Sequence, residues 1–303
     1  MATDIAAGRA AELHRIVELA CARVGLNPHG AELIKYTVNA VYRLPREHVV
    51  LRIASGPVGV SRGQHVVTMA RWLHARHVPI ATLLDADQPL TVAGDYTVTF
   101  WHELDRRTDW AAADLASPLR RLHTLALDPA DHTALPTWDP FSTARDRLAH
   151  ADIAVLASAD ARWLGEQWDQ AEQGFRRVQD QLPTGVIHGD PHTGNLLQRD
   201  DGTVVLCDLD ESGIGPLAYD LVPQAVGATR FGRRDFYREF VHAYGSDVRD
   251  DPVWPILSRI RELIMVTSVL PDLEHRPTVA AQHAHRLATL RTGRHDVPWD
   301  LYT

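Results

Sequence analysis

The sequence predicts an α+β fold with two lobes, in which a small lobe built on an antiparallel sheet precedes a larger, mainly helical lobe. Three short runs rich in β-forming residues follow one another between residues 33 and 53, separated by turn-prone stretches. Most of the chain beyond residue 102 instead shows apolar residues at helical spacing. The 303 residues, of which 45% are hydrophobic, are enough to bury the core of two lobes.

The small lobe begins with a predicted helix, because apolar residues recur at helical spacing from Ile5 to Val24. Three strands of an antiparallel meander are predicted at 33–37, 40–44 and 48–53. A helix from about Ser61 to Arg76 and a strand over Tyr96–Trp101 complete this lobe.

The larger lobe is predicted to be a series of helices. Helical spacing covers residues 115–125 and about 161–181, and a loop rich in Pro and Asp lies at 128–140. Residues 230–301 also favour helices, with breaks where glycine and proline occur. The breaks are at Gly245, Pro252, Pro255, Pro271 and Pro277.

The most informative segment is residues 186–210, where carboxylates end two apolar runs. Asp190 follows Val-Ile and a His-Gly turn, and Asp208 follows Val-Val-Leu-Cys. A carboxylate in such a place is costly unless it has a ligand. The stretch Arg199-Asp-Asp-Gly202 predicts a hairpin turn that brings Asp208 beside Asn195. We assign a turn role to Asp200 and Asp201, and a structural role to His188.

These side chains suit phosphoryl transfer. Asp190 is in position to accept the proton of an attacking hydroxyl. Asn195 and Asp208 offer the hard oxygen ligands that Mg²⁺ prefers. The segment therefore predicts a general base beside a magnesium site, provided that the three side chains converge.

The wider pattern resembles a known family of enzymes. The residues are His188-Gly189-Asp190-Pro-His192-Thr-Gly194-Asn195, then Asp208-Leu-Asp210, then Gly215-Pro-Leu-Ala-Tyr-Asp220-Leu221. This order is similar to that of the aminoglycoside phosphotransferase and choline kinase superfamily, small-molecule kinases with a protein-kinase-like fold. The loop carries Gly where protein kinases carry Arg, and it lacks Asp-Phe-Gly.

The resemblance implies a division of labour along the chain. Residues 1–101 would form an N-lobe that covers the nucleotide, and residues 102–303 a C-lobe with the catalytic loop, the metal site and the acceptor pocket. ATP would bind between the lobes, with Asp190 catalytic and Mg²⁺ held by Asn195 and Asp208. Asp210 would help with the metal or orient the loop, and Asp220 would tie the loop to the following helix.

Four further residues are implied in nucleotide binding. Arg52 occupies the place of the basic residue in the third strand that contacts the ATP phosphates, and Asn39 lies in the hairpin over the nucleotide. The hinge would lie near residues 101–104, where Trp101 and Glu103 would adjoin the adenine. Trp101 would either stack on the base or pack between the lobes.

One departure concerns the helix glutamate that pairs with the phosphate-contacting cation in the family. No Asp or Glu occurs from Pro57 through Ala81, and Gln64, His65 or Val66 falls near the expected place. Either a carboxylate from elsewhere positions Arg52, or nucleotide affinity is reduced. Arginine stays protonated without a partner and so needs less help than lysine.

The charge distribution bears on the acceptor. Residues 1–100 contain 10 basic and 8 acidic residues, and the remainder contain 21 and 31. An acidic second lobe suits a cationic acceptor, although acidic surfaces also serve solubility. The candidate acceptor-binding residues are Asp247, Asp250, Asp251, Glu262, Asp272 and Glu274, with Trp254 and Trp299 as possible walls.

We therefore expect an ATP:alcohol phosphotransferase acting on a small, amine-bearing molecule such as an aminoglycoside, in which case it would confer antibiotic resistance. The alternatives are a kinase for a choline-like amino alcohol, a homoserine-like metabolite, a sugar or a macrolide, or an inactive nucleotide-binding relic. Either ATP or GTP could be the donor.

Other classes are disfavoured by composition. No basic patch with interleaved aromatics points to nucleic acid, and no run of about 18 apolar residues points to a membrane. The two cysteines, Cys21 and Cys207, are too few for a disulfide scaffold or a zinc site. We expect a cytoplasmic monomer or homodimer.

Overall fold

The computed structural model describes residues 7–36, 39–151 and 156–302, and it describes only the backbone of Ala7, Pro57, Val58, Asp272 and His275. The strands are β1 (Glu32–Tyr36), β2 (Ala40–Leu44), β3 (Val49–Ser55), β4 (Leu90–Val92), β5 (Tyr96–His102), β6 (Thr184–Ile187), β7 (Leu196–Gln198), β8 (Val204–Leu206) and β9 (Gly213–Pro216). The α-helices are α1 (Ala7–Val24), α2 (Gly56–Ala75), α3 (Ala112–His123), α4 (Asp131–Ala134), α5 (Pro140–Ala149), α6 (Ser158–Arg176), α7 (Val222–Arg230), α8 (Arg234–Tyr244), α9 (Trp254–Thr267) and α10 (Pro277–Arg291).

The chain forms two compact units, and the first contains Met1–Thr108 and Asn195–Asp210. Unit 1 is built on an antiparallel sheet in the order β1-β2-β3-β5-β4. Successive residues of β2 alternate between buried and half-buried, because side chains on a strand point to opposite faces. Its buried residues share one core with Leu13, Ile16 and Val17 of α1. The predicted amino-terminal helix and meander are confirmed over the described residues.

The start of α2 was predicted wrongly, since the helix begins at Gly56 rather than near Ser61. Gly56 has a φ of +74°, which glycine adopts readily, and Pro57 follows at the first helical turn. Proline is favoured there because its fixed φ suits the helix and its missing N–H would have no partner. The Gly-Pro pair therefore starts the helix.

The hairpin of β7 and β8 belongs to unit 1. Leu196 pairs with Leu206, and the strands are joined by residues 199–203, as the Asp-Gly signal predicts. Bridges from Ile80 to Leu206 and from Asp105 to Gln198 attach the hairpin to the rest of the unit. The lobe boundary at residues 101 and 102 stays a prediction, and the compact units divide after Thr108 and on either side of the hairpin.

Unit 2 contains Asp109–Gly194 and Glu211–Thr303 and is mainly helical, with α3 to α10 around the antiparallel pair β6 and β9. Among its elements that were not predicted are the short helix α4, which lies within the predicted loop at 128–140, the strand β9 and the helix α5. The strand β9 has the sequence Gly-Ile-Gly-Pro, whose glycine and proline content is typical of a turn. The helix α5 begins at Pro140 after Asp139, whose carboxylate accepts bonds from the amides of Phe141 and Ser142, both at 3.0 Å. That cap was the overlooked signal.

The predicted fold class is confirmed as an antiparallel-sheet first part followed by a mostly helical remainder. Through the described part of the chain, no helix combines the length and the apolar character needed to cross a lipid bilayer.

Candidate active site

The loop that carries Asp190 is held by a buried carboxylate from another segment. Strand β6 ends at Ile187, and the amides of His188 and Gly189 both donate to Asp220, at 2.7 and 2.8 Å. Asp220 also contacts His123 at 2.9 Å and is fully buried. The contacts that the sequence predicted for Asp220 and for structural His188 are present, since His188 Nδ1 lies 3.3 Å from the Asp190 amide.

Gly189 is required by the geometry of this loop. Its φ is +83°, a region that L side chains rarely adopt. A Cβ added there would lie 2.0 Å from the backbone oxygen of Glu211. The structure thus explains why glycine precedes Asp190.

The Asp190 carboxylate is paired with an arginine that the sequence did not suggest. Its Oδ1 lies 2.7 Å from a guanidinium nitrogen of Arg261 on α9, and its Oδ2 lies 3.8 Å from His192. Burial would raise the pKa of the Asp190 carboxyl, but the charges of Arg261, His192 and His188 and the hydrogen bond from Arg261 together hold this pKa below its ordinary value. Asp190 is therefore ionised at neutral pH, and one third of its side chain is exposed.

No local signal in the sequence singles out Arg261. It lies in α9 between Ile260 and Glu262, two residues after Arg259, so it is one of several neighbouring charged residues. Its partner Asp190 belongs to a distant segment of the sequence, and the pairing depends on the fold.

The predicted metal ligands lie next to each other at the open end of the hairpin. The amide of Cys207 donates to the backbone oxygen of Asn195 at 2.9 Å, which places Asp208 immediately beside Asn195. Asp208 has a φ of +66°, a conformation that Asp and Asn tolerate better than most residues. Both ligands belong to unit 1, whereas Asp190 belongs to unit 2. The convergence of all three stays a prediction.

Arg52 forms ion pairs with two other carboxylates, although the helix glutamate of the family is missing. Its guanidinium lies 3.3 Å from Asp208 and forms a closer ion pair with Asp210. With the Asn39 amide turned so that its oxygen faces Arg52, that oxygen accepts from Nε at 3.1 Å. Burial would lower the pKa of Arg52, but the charges of Asp210 and Asp208 raise it above its ordinary value.

The partner of Arg52 therefore comes from the hairpin and not from α2. Near the place of the family glutamate, Gln64 is exposed and donates to Thr68 at 3.4 Å, while Val66 is buried in the core. Of the two explanations for the missing glutamate, the structure supports a carboxylate from elsewhere. Asn39 lies beside Arg52, whereas its neighbours Thr37 and Val38 lie outside the described residues.

The predicted hinge residues make contacts within unit 1. Trp101 belongs to β5, where its indole donates to Thr99 at 2.9 Å. The Glu103 carboxylate pairs with Arg43, and the Glu103 amide donates to the backbone oxygen of His48 at 2.8 Å. An adenine contact by Trp101 or Glu103 stays a prediction, and the Glu103 amide is already engaged.

The residues of unit 1 fit a magnesium ion as far as their chemistry is concerned. Asn195, Asp208 and Asp210 provide amide and carboxylate oxygens, the donors that Mg²⁺ prefers. No group of three or more His, Cys, Asp or Glu in the described residues is arranged to hold a metal by itself. Such a site would need further oxygen ligands from a nucleotide and water, as is usual for Mg²⁺.

Asp190 lines a cavity of about 510 Å³ that lies wholly within unit 2. Its polar walls come from the catalytic loop and from arginines of α5, α9 and α10 and the segment before α8. Apolar side chains such as Phe231, Ile264 and Met265 complete them. This volume suits a small organic molecule.

Among the residues suggested earlier for the acceptor, those whose side chains are described do not line this cavity. Glu262 is buried in an ion pair with Arg230 at 2.6 Å, and Trp299 is buried and donates to Thr289. Asp247 pairs with Arg249 at 2.7 Å, whose hydrogen bonds lower the pKa of this carboxyl to about 2. These contacts give Glu262, Trp299 and Asp247 structural roles, and the side chain of Asp272 lies outside the described residues.

Known proteins resemble the chain in sequence and in structure. The phosphotransferase enzyme family matches residues 33–260, and no curated protein matches the sequence. A choline/ethanolamine kinase family protein from Mesorhizobium loti shares 17% identity over 91% of this chain and 94% of that one, with a TM-score of 0.62. An aminoglycoside phosphotransferase from Streptomyces rimosus shares 20% over 83% and 98%, with a TM-score of 0.58.

A third solved structure is a spectinomycin phosphotransferase in complex with ADP and spectinomycin. It shares 14% identity over 96% of this chain and 95% of that one, with a TM-score of 0.61. At such identities the likeness establishes the fold, so the predicted kinase-like fold is confirmed.

Proposed function

The chain belongs to the phosphotransferase enzyme family, and we propose that it transfers the γ-phosphoryl group of ATP to a hydroxyl of a small molecule. The observation that carries the proposal is Asp190, an ionised and partly exposed carboxylate that lines a cavity of about 510 Å³. A general base must be deprotonated and accessible to the hydroxyl whose proton it accepts. Asp190 meets both requirements.

In the proposed reaction, the acceptor oxygen forms a bond to the γ-phosphorus as the bond from that phosphorus to the β,γ-bridging oxygen breaks. The hydroxyl proton passes to a carboxylate oxygen of Asp190, and ADP leaves with the electron pair of the broken bond. Arg261 keeps Asp190 ionised and oriented through its contact at 2.7 Å. Most of the acceleration would come from positioning and electrostatic stabilisation, as is general for phosphoryl transfer.

Unit 1 would supply the nucleotide contacts. Arg52 would bind phosphate oxygens bidentately, with Asp210 and Asn39 fixing its orientation. Asn195 and Asp208 would hold Mg²⁺, which neutralises negative charge on the phosphates when it is bound. Trp101 and Glu103 remain the candidates for the adenine.

The range of possible acceptors is broad within this family. The similar structures include a choline/ethanolamine kinase family protein and kinases of aminoglycosides and spectinomycin, all amine-bearing alcohols. By this analogy the acceptor would be a small amine-bearing alcohol, and phosphorylation of an antibiotic would confer resistance. Analogy alone cannot select an acceptor, because one fold serves many substrates.

The test is a screen in which purified protein, Mg²⁺ and ATP are incubated with aminoglycosides, spectinomycin, amino alcohols, sugars and hydroxy acids. Mass spectrometry should detect the gain of one phosphoryl group on an acceptor, with matching release of ADP. The Asp190→Asn variant is the negative control and should give neither signal. Transfer that persists in this variant would disprove the assigned base.

The second candidate is a nucleotide-binding protein without catalysis, suggested by the absence of the helix glutamate. The ion pair of Arg52 with Asp210 argues against this second candidate, because the arginine proposed to contact the phosphates still has a carboxylate partner. A thermal shift with Mg-ATP, combined with no ADP release from any acceptor, would favour this candidate.

A further inference from the structure

The acceptor cavity carries more positive than negative charge. The ionisable residues that line it include four arginines and two carboxylates, namely Arg147, Arg233, Arg261, Arg286, Asp190 and Glu211. Arg261 pairs with Asp190 at 2.7 Å, and Arg147 lies 3.6 Å from Glu211. Both carboxylates are thus matched, which leaves Arg286 and Arg233 to be accounted for.

Arg286 is a buried cation that forms no ion pair within the described residues. Its side chain on α10 is only 1% exposed, and no carboxylate among the described residues lies within 4 Å of it. One guanidinium nitrogen donates to the backbone oxygen of Asp300, and the group lies 3.5 Å from the centre of the Tyr302 ring. Its Nε is buried without a hydrogen-bond partner in the described part of the chain.

This arrangement is unfavourable as it stands. Burial holds the pKa of Arg286 below its ordinary value, and the contact with Tyr302 and the charge of Asp300 oppose this effect without offsetting it, while the charge of Arg261 adds to it. The backbone and ring contacts satisfy some of the hydrogen-bonding capacity of the Arg286 guanidinium, but they do not neutralise its buried charge. An anionic ligand in this cavity would neutralise the buried charge, so the cavity is suited to binding an anion.

Arg233 adds a second positive charge to the same cavity. It lies just before α8, it is exposed, and no carboxylate of the described residues is within ion-pair distance. Together with Arg286 it leaves the cavity with two arginines that form no ion pair with a carboxylate of the described residues. One is deeply buried and the other is exposed.

We propose that the acceptor is an alcohol that also carries an anionic group, a carboxylate or a phosphate monoester, which Arg286 and Arg233 bind. The inference rests on the proposed phosphotransfer, because it assigns the cavity beside Asp190 to the acceptor. Ile264 and Met265 would contact the carbon skeleton, and Asp190 would receive the hydroxyl proton.

This substrate class differs from the amine-bearing acceptors suggested by analogy. An ammonium group in the cavity would face the uncompensated charges of Arg286 and Arg233. Glu211, the carboxylate other than the catalytic Asp190, is already near Arg147. The acidic excess of the second part of the sequence therefore does not describe the charge of this cavity.

The test uses four small probes that differ mainly in charge: 4-hydroxybutyrate, glycerol 2-phosphate, butane-1,4-diol and 4-aminobutan-1-ol. Each is titrated by calorimetry into the full-length protein saturated with ADP and Mg²⁺, so that the phosphate probe cannot occupy the nucleotide site. At least one anionic probe should bind about tenfold or more tightly than the diol and the amine, as expected for hydrogen bonds to a charged group. The carboxylate and phosphate probes distinguish the two anions.

Matched variants assign the effect to the two arginines. Arg233→Gln should weaken binding of the preferred anion about tenfold, whereas Arg234→Gln, its exposed neighbour outside the cavity, should leave it unchanged. Arg286→Lys keeps a buried charge but loses the planar fork of the guanidinium, and it should also weaken binding of the preferred anion. Equal loss in Arg233→Gln and Arg234→Gln would contradict the assignment.

Two outcomes separate this inference from the proposed function. If the amine binds as tightly as both anions, or if neither anion binds better than the diol, the anion site is overturned while phosphotransfer stands. If ADP with Mg²⁺ fails to bind, the proposed function fails. In that case the ranking of 4-hydroxybutyrate, the diol and the amine without nucleotide still decides the anion site.

Discussion

The two units of the molecule combine arginine and carboxylate groups in opposite proportions. In unit 1, Arg52 faces two carboxylates, Asp208 and Asp210. In unit 2, the acceptor cavity has two carboxylates and four arginines. A surplus of negative charge suits a divalent cation, and a surplus of positive charge suits an anion. Under the proposed function, the unmatched charge at each site indicates the sign of the ligand that would bind there.

The arginines also differ in what they do for their partners. Arg52 is positioned by carboxylates, so that its fork can be presented to phosphate oxygens. Arg261 instead acts on a carboxylate, because its charge opposes the effect of burial on the pKa of Asp190. Removing a partner should therefore affect nucleotide binding in unit 1 and the protonation of the base in unit 2.

The largest effect is expected from Asp190→Asn, which removes the base but keeps the shape of the side chain. Turnover of any acceptor identified by the screen should fall by about 10²–10⁴-fold, the usual contribution of general acid–base catalysis. ATP affinity, measured by calorimetry, should change little because the nucleotide contacts are assigned to unit 1. A variant that keeps its turnover would remove the distinction between the two units.

Asp208→Asn should abolish most of the magnesium dependence of ATP binding. Asparagine tolerates the positive φ of Asp208, so the hairpin should persist while one anionic ligand is lost. We expect ATP affinity at saturating Mg²⁺ to fall about tenfold or more, since charged contacts are each worth about 1.5–3 kcal/mol. Calorimetric titrations at several Mg²⁺ concentrations would measure this.

Asp200→Asn is the matched control, because Asp200 lies exposed in the turn of the same hairpin. It removes the same charge without touching the proposed site. An unchanged Mg²⁺ dependence in Asp208→Asn would show that the surplus of negative charge in unit 1 does not bind the metal.

The sequence could predict features that depend on residues close together in the chain, but not contacts between distant segments. The hairpin, and with it the position of Asp208 beside Asn195, could be predicted because it depends on local turn chemistry and on a carboxylate that ends an apolar run. Arg261 and Arg286 were not identified, since each reaches the cavity from a helix distant in sequence from Asp190. The overall acidic charge of residues 101–303 even suggested the opposite sign for the acceptor site.

Asp210→Asn tests whether this carboxylate substitutes for the absent helix glutamate. Without its closest ion-pair partner, Arg52 should be less well oriented toward the phosphates, and the KM for ATP should rise about fivefold to tenfold. The change in kcat should be smaller, because the base and the acceptor cavity are untouched. Steady-state kinetics at varied ATP would separate the two, and a fall in kcat alone would assign Asp210 to the metal instead.

The smallest change is a shift along the pH axis in Arg261→Gln. The Asp190 carboxylate must be deprotonated to act, and in the intact protein Arg261, together with His192 and His188, keeps its pKa below the ordinary value despite burial. Without Arg261, burial dominates and raises that pKa, so the acid limb of the kcat/KM profile should move to higher pH by about one unit or more. Activity above this limb should be retained in part.

Arg259→Gln, on the same helix but outside the cavity, should leave the acid limb at its original pH. A profile of Arg261→Gln that falls uniformly at every pH would mean that Arg261 positions Asp190 without setting its protonation.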